Sequence, residues 1–225
     1  MNIAENIGKI REKSGSARIL AVTKNVDIPR IIEAIKAGIT DLGENRVQEA
    51  AAKHAEINHR FPLVRWHMIG HLQKNKVKAA LQIFDVIQSV DSLELAEEIN
   101  KRAEGLIEIF IEVNTSGEES KFGVKPEALA DLIRSASKLS NLKITGLMTM
   151  GPLTDDKEKI KSSFRKLKEL RDQLQQAGFA GITHLSMGMS ADFPLAIEEG
   201  SDIIRIGRAI FATDQEPASE PRGSK

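Results

Sequence analysis

The sequence contains no cysteine and no tyrosine, a single tryptophan, and only 4% aromatic residues in a chain of 225. The missing thiol excludes disulfides, thiolate metal sites, iron–sulfur clusters and a cysteine nucleophile, and it fits a reducing compartment. The shortage of aromatics argues against platforms on which nucleic-acid bases could stack. An excess of one charge is missing too. With 32 basic residues against 32 acidic ones, no global field draws the protein to nucleic acid or to an anionic membrane. No apolar run approaches the roughly 18 residues of a membrane span, and the first 13 residues, which include Glu5, lack the apolar core of a secretory signal. The expectation is a cytoplasmic protein with no membrane or nucleic-acid partner.

What is present is regular alternation of two periodicities. Ile3, Ile7 and Ile10 share one helical face and predict an N-terminal helix over 2–13. A strand then runs from Ile19 to Lys24. Asp27 is a good N-cap, and Pro29 sits in the first turn of a helix carrying Ile31, Ile32 and Ile35, which Gly38 closes. Further strands are expected at 41–44, 64–69, 86–90, 107–113, 144–148, 184–187 and 203–206, each separated from the next by a helical pattern. Asp91 with Glu94 resembles a capping box, and Asp155 or Asp156 can cap the long helix that ends at Gly178. Eight strands interleaved with helices, with no second run of strands, predict a single α/β (β/α)8 barrel with an extra N-terminal helix, at the short end of the roughly 200–400 residues usual for that fold, with a doubly wound open sheet as the fallback. The barrel domain is expected over 1–212. Apolar content stops after Phe211, and 213–225 reads as a disordered tail.

In such barrels the site forms at the C-terminal strand ends. Those ends supply Lys24, Asn45, His71, Asn114, Met148, the run Ser186 to Ser190, and Arg205 to Arg208. If the first strand reaches Lys24, then Leu20, Val22 and Lys24 share a face. A lysine among Leu and Val is poorly hydrated, and desolvation disfavours the ammonium, which is the condition a Schiff-base lysine needs. The other reading is a snorkelling lysine at a strand end. Barrel phosphate sites are typically built after strands seven and eight. There Gly188 and Gly207 allow backbone N–H groups to approach an anion, and Ser190 adds a hydroxyl. The alternative is a pair of ordinary strand-to-helix turns. A phosphate pocket facing such a lysine suits a class I aldolase acting on a sugar phosphate, or pyridoxal 5′-phosphate.

Six motifs narrow this choice: Ala21-Val-Thr-Lys-Asn25, Leu42-Gly-Glu-Asn-Arg-Val-Gln-Glu49, Trp66-His-Met-Ile-Gly-His-Leu-Gln-Lys-Asn-Lys76, Gly146-Leu-Met-Thr-Met150, Leu185-Ser-Met-Gly-Met-Ser190 and Arg205-Ile-Gly-Arg-Ala-Ile-Phe211. In order and spacing, over about residues 1–212, they resemble the pyridoxal-phosphate homeostasis proteins. That family has the barrel of the alanine racemase N-terminal domain without the racemase's second domain. The resemblance implies pyridoxal 5′-phosphate held as an aldimine on Lys24. It further implies phosphate contacts from Ser190 and from the backbone N–H groups of Gly207 and Arg208, with Arg205 facing the pyridine nitrogen. Asn45, Met148 and Ser186 are further candidates for contact with the cofactor. An always-charged guanidinium at the ring nitrogen makes the cofactor a weak electron sink. With no tyrosine available as second base, a two-base racemase cannot be assembled from this chain alone. The expected function is therefore cofactor buffering or delivery, with apo-enzymes as partners and the protein a monomer. A weak amino-acid racemase or lyase is the alternative. The chain departs from the family at Ala212, usually glycine there, and from the racemase at Ile28, which stands where the racemase has a phosphate-contacting tyrosine.

The remaining polar residues have plainer readings. His67 and His71 on a strand would lie roughly 13 Å apart, which with the intervening Gly70 argues against a metal site. Glu112 is read as an interior carboxylate or an acid, Lys74, Lys76 and Lys78 as a solvated helix face, and Lys121 and Lys125 as loop and cap residues.

Overall fold

The computed structural model describes residues 2–212; the tail at 213–225 lies outside the described residues. The elements run α1 (Ile3–Ser14), β1 (Arg18–Val22), α2 (Ile28–Lys36), β2 (Asp41–Glu44), α3 (Val47–Arg60), β3 (Arg65–Met68), α4 (Val77–Ala80), β4 (Val86–Val90), α5 (Leu93–Arg102), β5 (Ile107–Glu112), α6 (Leu129–Ala136), β6 (Leu142–Met148), α7 (Lys157–Gln176), β7 (His184–Ser186), α8 (Phe193–Glu198), β8 (Ile203–Ile206) and α9 (Arg208–Phe211). Short 3-10 turns at Lys74–Lys76 and Pro126–Ala128 lead into α4 and α6. The eight strands pair in sequence order and close when β8 meets β1, with Ile19 opposite Ile204 and every pairing parallel. The (β/α)8 barrel expected from the alternation is the observed architecture.

Two apolar cores result. The larger lies between strands and helices, and includes Trp66, Phe164, Leu167 and Ile87. The smaller fills the barrel itself and consists of Leu20, Val86, Phe110, Met148 and Ile203. Glycines make the second one possible. A Cβ on Gly43 would fall 2.2 Å from Leu20 Cδ2, and one on Gly146 would fall 2.7 Å from Phe110 Cε2. Each missing side chain leaves the volume that a large neighbour occupies, in keeping with close packing. Truncating Leu20 to Ala, at 0% exposure, would cost about 2–5 kcal/mol.

The last two helices are short, six and four residues. α1 compensates by packing across them. Its Ile3, Ile7 and Ile10 are buried, and Asn6 Nδ2 donates to the Ile210 carbonyl at 3.0 Å. Caps follow their chemistry: the Asp27 side chain accepts from Arg30 N, and Asp156 accepts from Glu158 N and Lys159 N. The capping box expected at Asp91 is absent. Ser92 is the N-cap and accepts from Leu95 N, so Asp91 stands one residue outside the helix. Other strand limits differ from the expected ones by one or two residues, as helix and strand ends commonly do. Among the described residues no helix is long and apolar enough to cross a membrane.

Candidate functional site

The first strand stops at Val22, two residues before Lys24. Val26 N then donates to the Thr23 carbonyl at 3.0 Å, closing a turn in which Asn25 has φ 58°, a conformation asparagine tolerates better than most residues. The turn lifts Lys24 off the apolar face, and the residue is exposed. The expectation of a desolvated lysine at a strand end is thus overturned. The buried lysine here is Lys53 of α3, 8% exposed. Its Nζ donates to Glu44 Oε1 at 2.8 Å, Glu49 Oε1 at 2.9 Å and the Thr23 carbonyl at 2.7 Å. Thr23 Oγ1 also donates to Glu44 Oε1 at 2.7 Å, and Asn25 N donates to Glu49 Oε1. Burial pushes the Glu44 carboxyl above its ordinary value, with Lys53 and Thr23 offsetting part of the rise. Burial acts the same way on Glu49, but the hydrogen bonds from Lys53 and Asn25 outweigh it and hold that carboxyl low.

The exits of β7 and β8 lie against this turn. Gly207 is so close to β1 that a Cβ there would sit 3.3 Å from the Val22 carbonyl oxygen. Ser190 Oγ accepts from Ala209 N at 3.2 Å, binding the loop after β7 to the first turn of α9. Gly188, at φ 91°, leaves room for Ala196, whose Cβ would otherwise be 2.5 Å away. Asp192 does not cap its own helix by side chain. It accepts from Met189 N at 2.5 Å and so shapes the same loop. Arg208, exposed, opens α9. The expected phosphate residues Ser190, Gly207 and Arg208 therefore stand together, beside the Lys24 turn.

Beneath them is Arg205, 2% exposed. Its guanidinium donates to the Ser186 carbonyl at 2.7 Å, Ser186 Oγ at 2.8 Å and the Thr149 carbonyl at 2.7 Å, and touches Met150 Sδ at 3.2 Å. Burial lowers its pKa to about 10, against the attraction of Glu112 and Asp192, so it stays charged at neutral pH. Arg205 can only donate, and this orients a chain through the barrel. Ser186 Oγ accepts from it and so donates to Gln88 Oε1, at 2.7 Å. The Gln88 amide nitrogen then donates to His67 Nδ1 at 3.0 Å. His67 carries its proton on Nε2, which donates to Asp41 Oδ1 at 2.9 Å; this tautomer is assigned from the network. Burial pushes His67 below its ordinary value, keeping it neutral. Burial would raise Asp41, yet the bonds from His67 and Thr40 bring its carboxyl below the usual range.

Glu112 completes the interior at this level. It is 5% exposed, and burial pushes its pKa up to about 7, with the Arg205 charge opposing. Met148 is fully buried in the interior core. Asn45 follows Glu44 and lines a cleft of about 410 Å³ with Arg46, His71 and Lys76 at the ends of β2 and β3. His71 stacks on Phe122 with ring centroids 4.1 Å apart, and its Nδ1 is 3.5 Å from Asp91 Oδ2. Asn114 is a loop organiser: its side chain donates to the Glu118 carbonyl at 2.8 Å and accepts from Gly117 N at 3.1 Å. Among the described residues no group of three or more His, Cys, Asp or Glu is placed to hold a metal.

Sequence reading missed Lys53, Glu49, Gln88 and Thr149. Two signals were available. Glu49 and Lys53 are an i,i+4 acid–base pair, and Gln88 is a long polar side chain between the apolar residues of a strand, Val86, Ile87 and Val90.

Comparison with known proteins shows the family. The alanine racemase, N-terminal domain family matches residues 1–215. A pyridoxal phosphate homeostasis protein of Aquifex aeolicus is 43% identical over 216 residues, covering 93% of this chain and 94% of that one. PipY of Synechococcus elongatus, a structure solved with pyridoxal phosphate bound, is 37% identical with a TM-score of 0.87, covering 93% of this chain and all of that one. An alanine racemase of Clostridium difficile, 19% identical with a TM-score of 0.78, shares the fold over 96% of this chain and 57% of its own length.

Proposed function

We propose that this chain, which belongs to the pyridoxal phosphate homeostasis protein family, binds pyridoxal 5′-phosphate at the mouth of its barrel and serves in the cell's handling of that cofactor, by buffering or delivery. The observation that carries this reading is the seam between β8 and β1. There a lysine on a fixed turn stands beside a serine hydroxyl and the first backbone N–H groups of α9.

The donor set fits the group. A phosphate needs uncrowded N–H and O–H donors, and Gly207 leaves its backbone bare where any Cβ would crowd Val22. When bound, the cofactor supplies an aldehyde that condenses reversibly with an amine, releasing one water. Lys24 Nζ is that amine. Ser190, Gly207 and Arg208 hold the phosphate. Arg205, fixed by Ser186 and Thr149, would present a positive charge that disfavours a proton on a ring nitrogen held against it. Met148 contributes apolar floor, and Asn45 the rim on the β2 side. The reversibility of the lysine bond suits a carrier that yields its cargo to apo-enzymes, acting as a cytoplasmic monomer.

One observation favours a second reading, weak racemase or lyase activity. Glu112, with a pKa near 7, is a group able to exchange protons at neutral pH. The test is spectroscopic. Purified protein given pyridoxal 5′-phosphate should develop a visible absorption band that borohydride fixes to the peptide containing Lys24. A label on another lysine, or no band, removes the assignment. Turnover of added amino acids that Glu112→Gln abolishes would move the reading to the enzyme.

A further inference from the structure

We infer that Lys53 is a positioning residue for Lys24: together with Glu44 and Glu49 it clamps the 23–25 turn so that the anchoring amine is aimed across the β1–β8 seam. This rests on the reading of Lys24 as the anchor.

The clamp grips the backbone on both sides of Lys24. Before it, the Thr23 carbonyl accepts from Lys53 Nζ at 2.7 Å. After it, Asn25 N donates to Glu49 Oε1, the oxygen that also accepts from Lys53 at 2.9 Å. The Thr23 hydroxyl is held as well, by Glu44 Oε1 at 2.7 Å. A residue gripped at both neighbours has a fixed Cα–Cβ direction, whatever its own side chain does. The left-handed Asn25, φ 58°, is a conformation that such outside contacts can hold in place.

Stability alone does not account for this cluster. A buried ion pair gains little net once desolvation is counted, and Glu44 Oε2 is buried without a hydrogen-bond partner. What the cluster contributes is geometry. It also separates the two amines chemically. Lys53 Nζ has three protons and three acceptors, Thr23 O, Glu44 Oε1 and Glu49 Oε1, so its nitrogen is engaged as an ammonium. Lys24, by contrast, is exposed.

The experiment compares two probes on the same variants. Pyridoxal 5′-phosphate reports anchoring. 4′-Deoxypyridoxine 5′-phosphate, which has no aldehyde, reports phosphate and ring binding alone. In Lys53→Met and in Glu49→Leu, the rate of band formation should fall by about tenfold to a hundredfold, while the affinity for the deoxy analogue stays that of the wild type. Glu49→Gln keeps an oxygen for Asn25 N and should restore most of the rate. Glu49 is only partly buried, its side chain 24% exposed, so this pair remains informative if Lys53→Met fails to fold. Equal loss with both probes would mean general disruption of the mouth and overturn the proposal, as would an unchanged rate in Glu49→Leu or a Glu49→Gln as slow as Glu49→Leu. Borohydride mapping of the wild type keeps the two readings apart. Label on a lysine other than Lys24 would sink the anchor assignment itself, whereas label on Lys24 with unaffected clamp variants would sink only the clamp.

Discussion

On the β8–β1–β2 side of the barrel mouth, buried side chains from a neighbouring helix capture the turn itself; on the β5–β6 side a buried set of Thr115, Thr149 and Ser163 fixes the strand ends, and the outer loops above it hold one another. Lys53 and Glu49 fix the turn at 23–25 from a helix, across separations of 30 and 24 residues, and Ser190 ties one loop to the helix that follows the next strand. Across the mouth, Asn114 bonds within its own loop, and Lys121 links that loop to the next through Glu118 and the Gly151 carbonyl. Phe122 is left 56% exposed and Leu153 90% exposed. Rigid placement at this mouth comes from desolvated polar groups with several partners each, because such groups have only one arrangement that satisfies them. Apolar contacts at the rim impose no comparable direction.

Four substitutions test that contrast. Lys24→Ala should have the largest functional effect and almost no structural one. The visible band with pyridoxal 5′-phosphate should vanish while urea denaturation shifts by less than about 0.5 kcal/mol, as for an exposed site away from the core. A large stability loss would show that the turn depends on its lysine rather than on the clamp. Arg205→Gln should damage both. The Ser186 and Thr149 carbonyls and Ser186 Oγ lose their buried donor, at a cost of about 2–4 kcal/mol in apo-protein denaturation, and cofactor affinity should fall with it.

Glu112→Gln should act through pH. The folded-state pKa is raised to about 7 from 4.5, so the folded protein binds more protons than the unfolded chain between those values. Stability of the wild type then falls as pH rises through that window. The variant should lose this slope and, at pH 8, be more stable than wild type by up to about 3 kcal/mol. Parallel slopes in wild type and variant would remove the assignment. Phe122→Ala should have the smallest effect. It ends the stack on His71 at a half-exposed rim, worth less than about 1 kcal/mol. A cost matching that of Arg205→Gln would erase the distinction between the two sides.

Much of the mouth was legible because the barrel rule converts a list of strand ends into a location. The rule put Lys24, Ser190, Gly207 and Arg208 at one end of the barrel, and the family resemblance gave them their expected roles. The error at Lys24 has a physical source. Strand propensity continues through Thr23, but the chain leaves the sheet where Lys53 and Glu44 take up the Thr23 carbonyl and hydroxyl. The error at Asp91 was smaller. Both Asp91 and Ser92 can cap a helix, and pattern alone cannot separate neighbours of equal propensity.

By itself, then, the sequence determined the alternation of strand and helix, the parallel barrel into which those units close and the extra helix at the N-terminus. All of these follow from periods of two and 3.6 residues and from turn chemistry, which are local. Only the tertiary structure decided which lysine is buried and which is exposed, that His67 is neutral with its proton on Nε2, and that Arg205 is fixed through Ser186 and Gln88. Those outcomes depend on partners separated by 30, 21 and 98 residues, and no local pattern carries the identity of a partner that only closure of the barrel brings near.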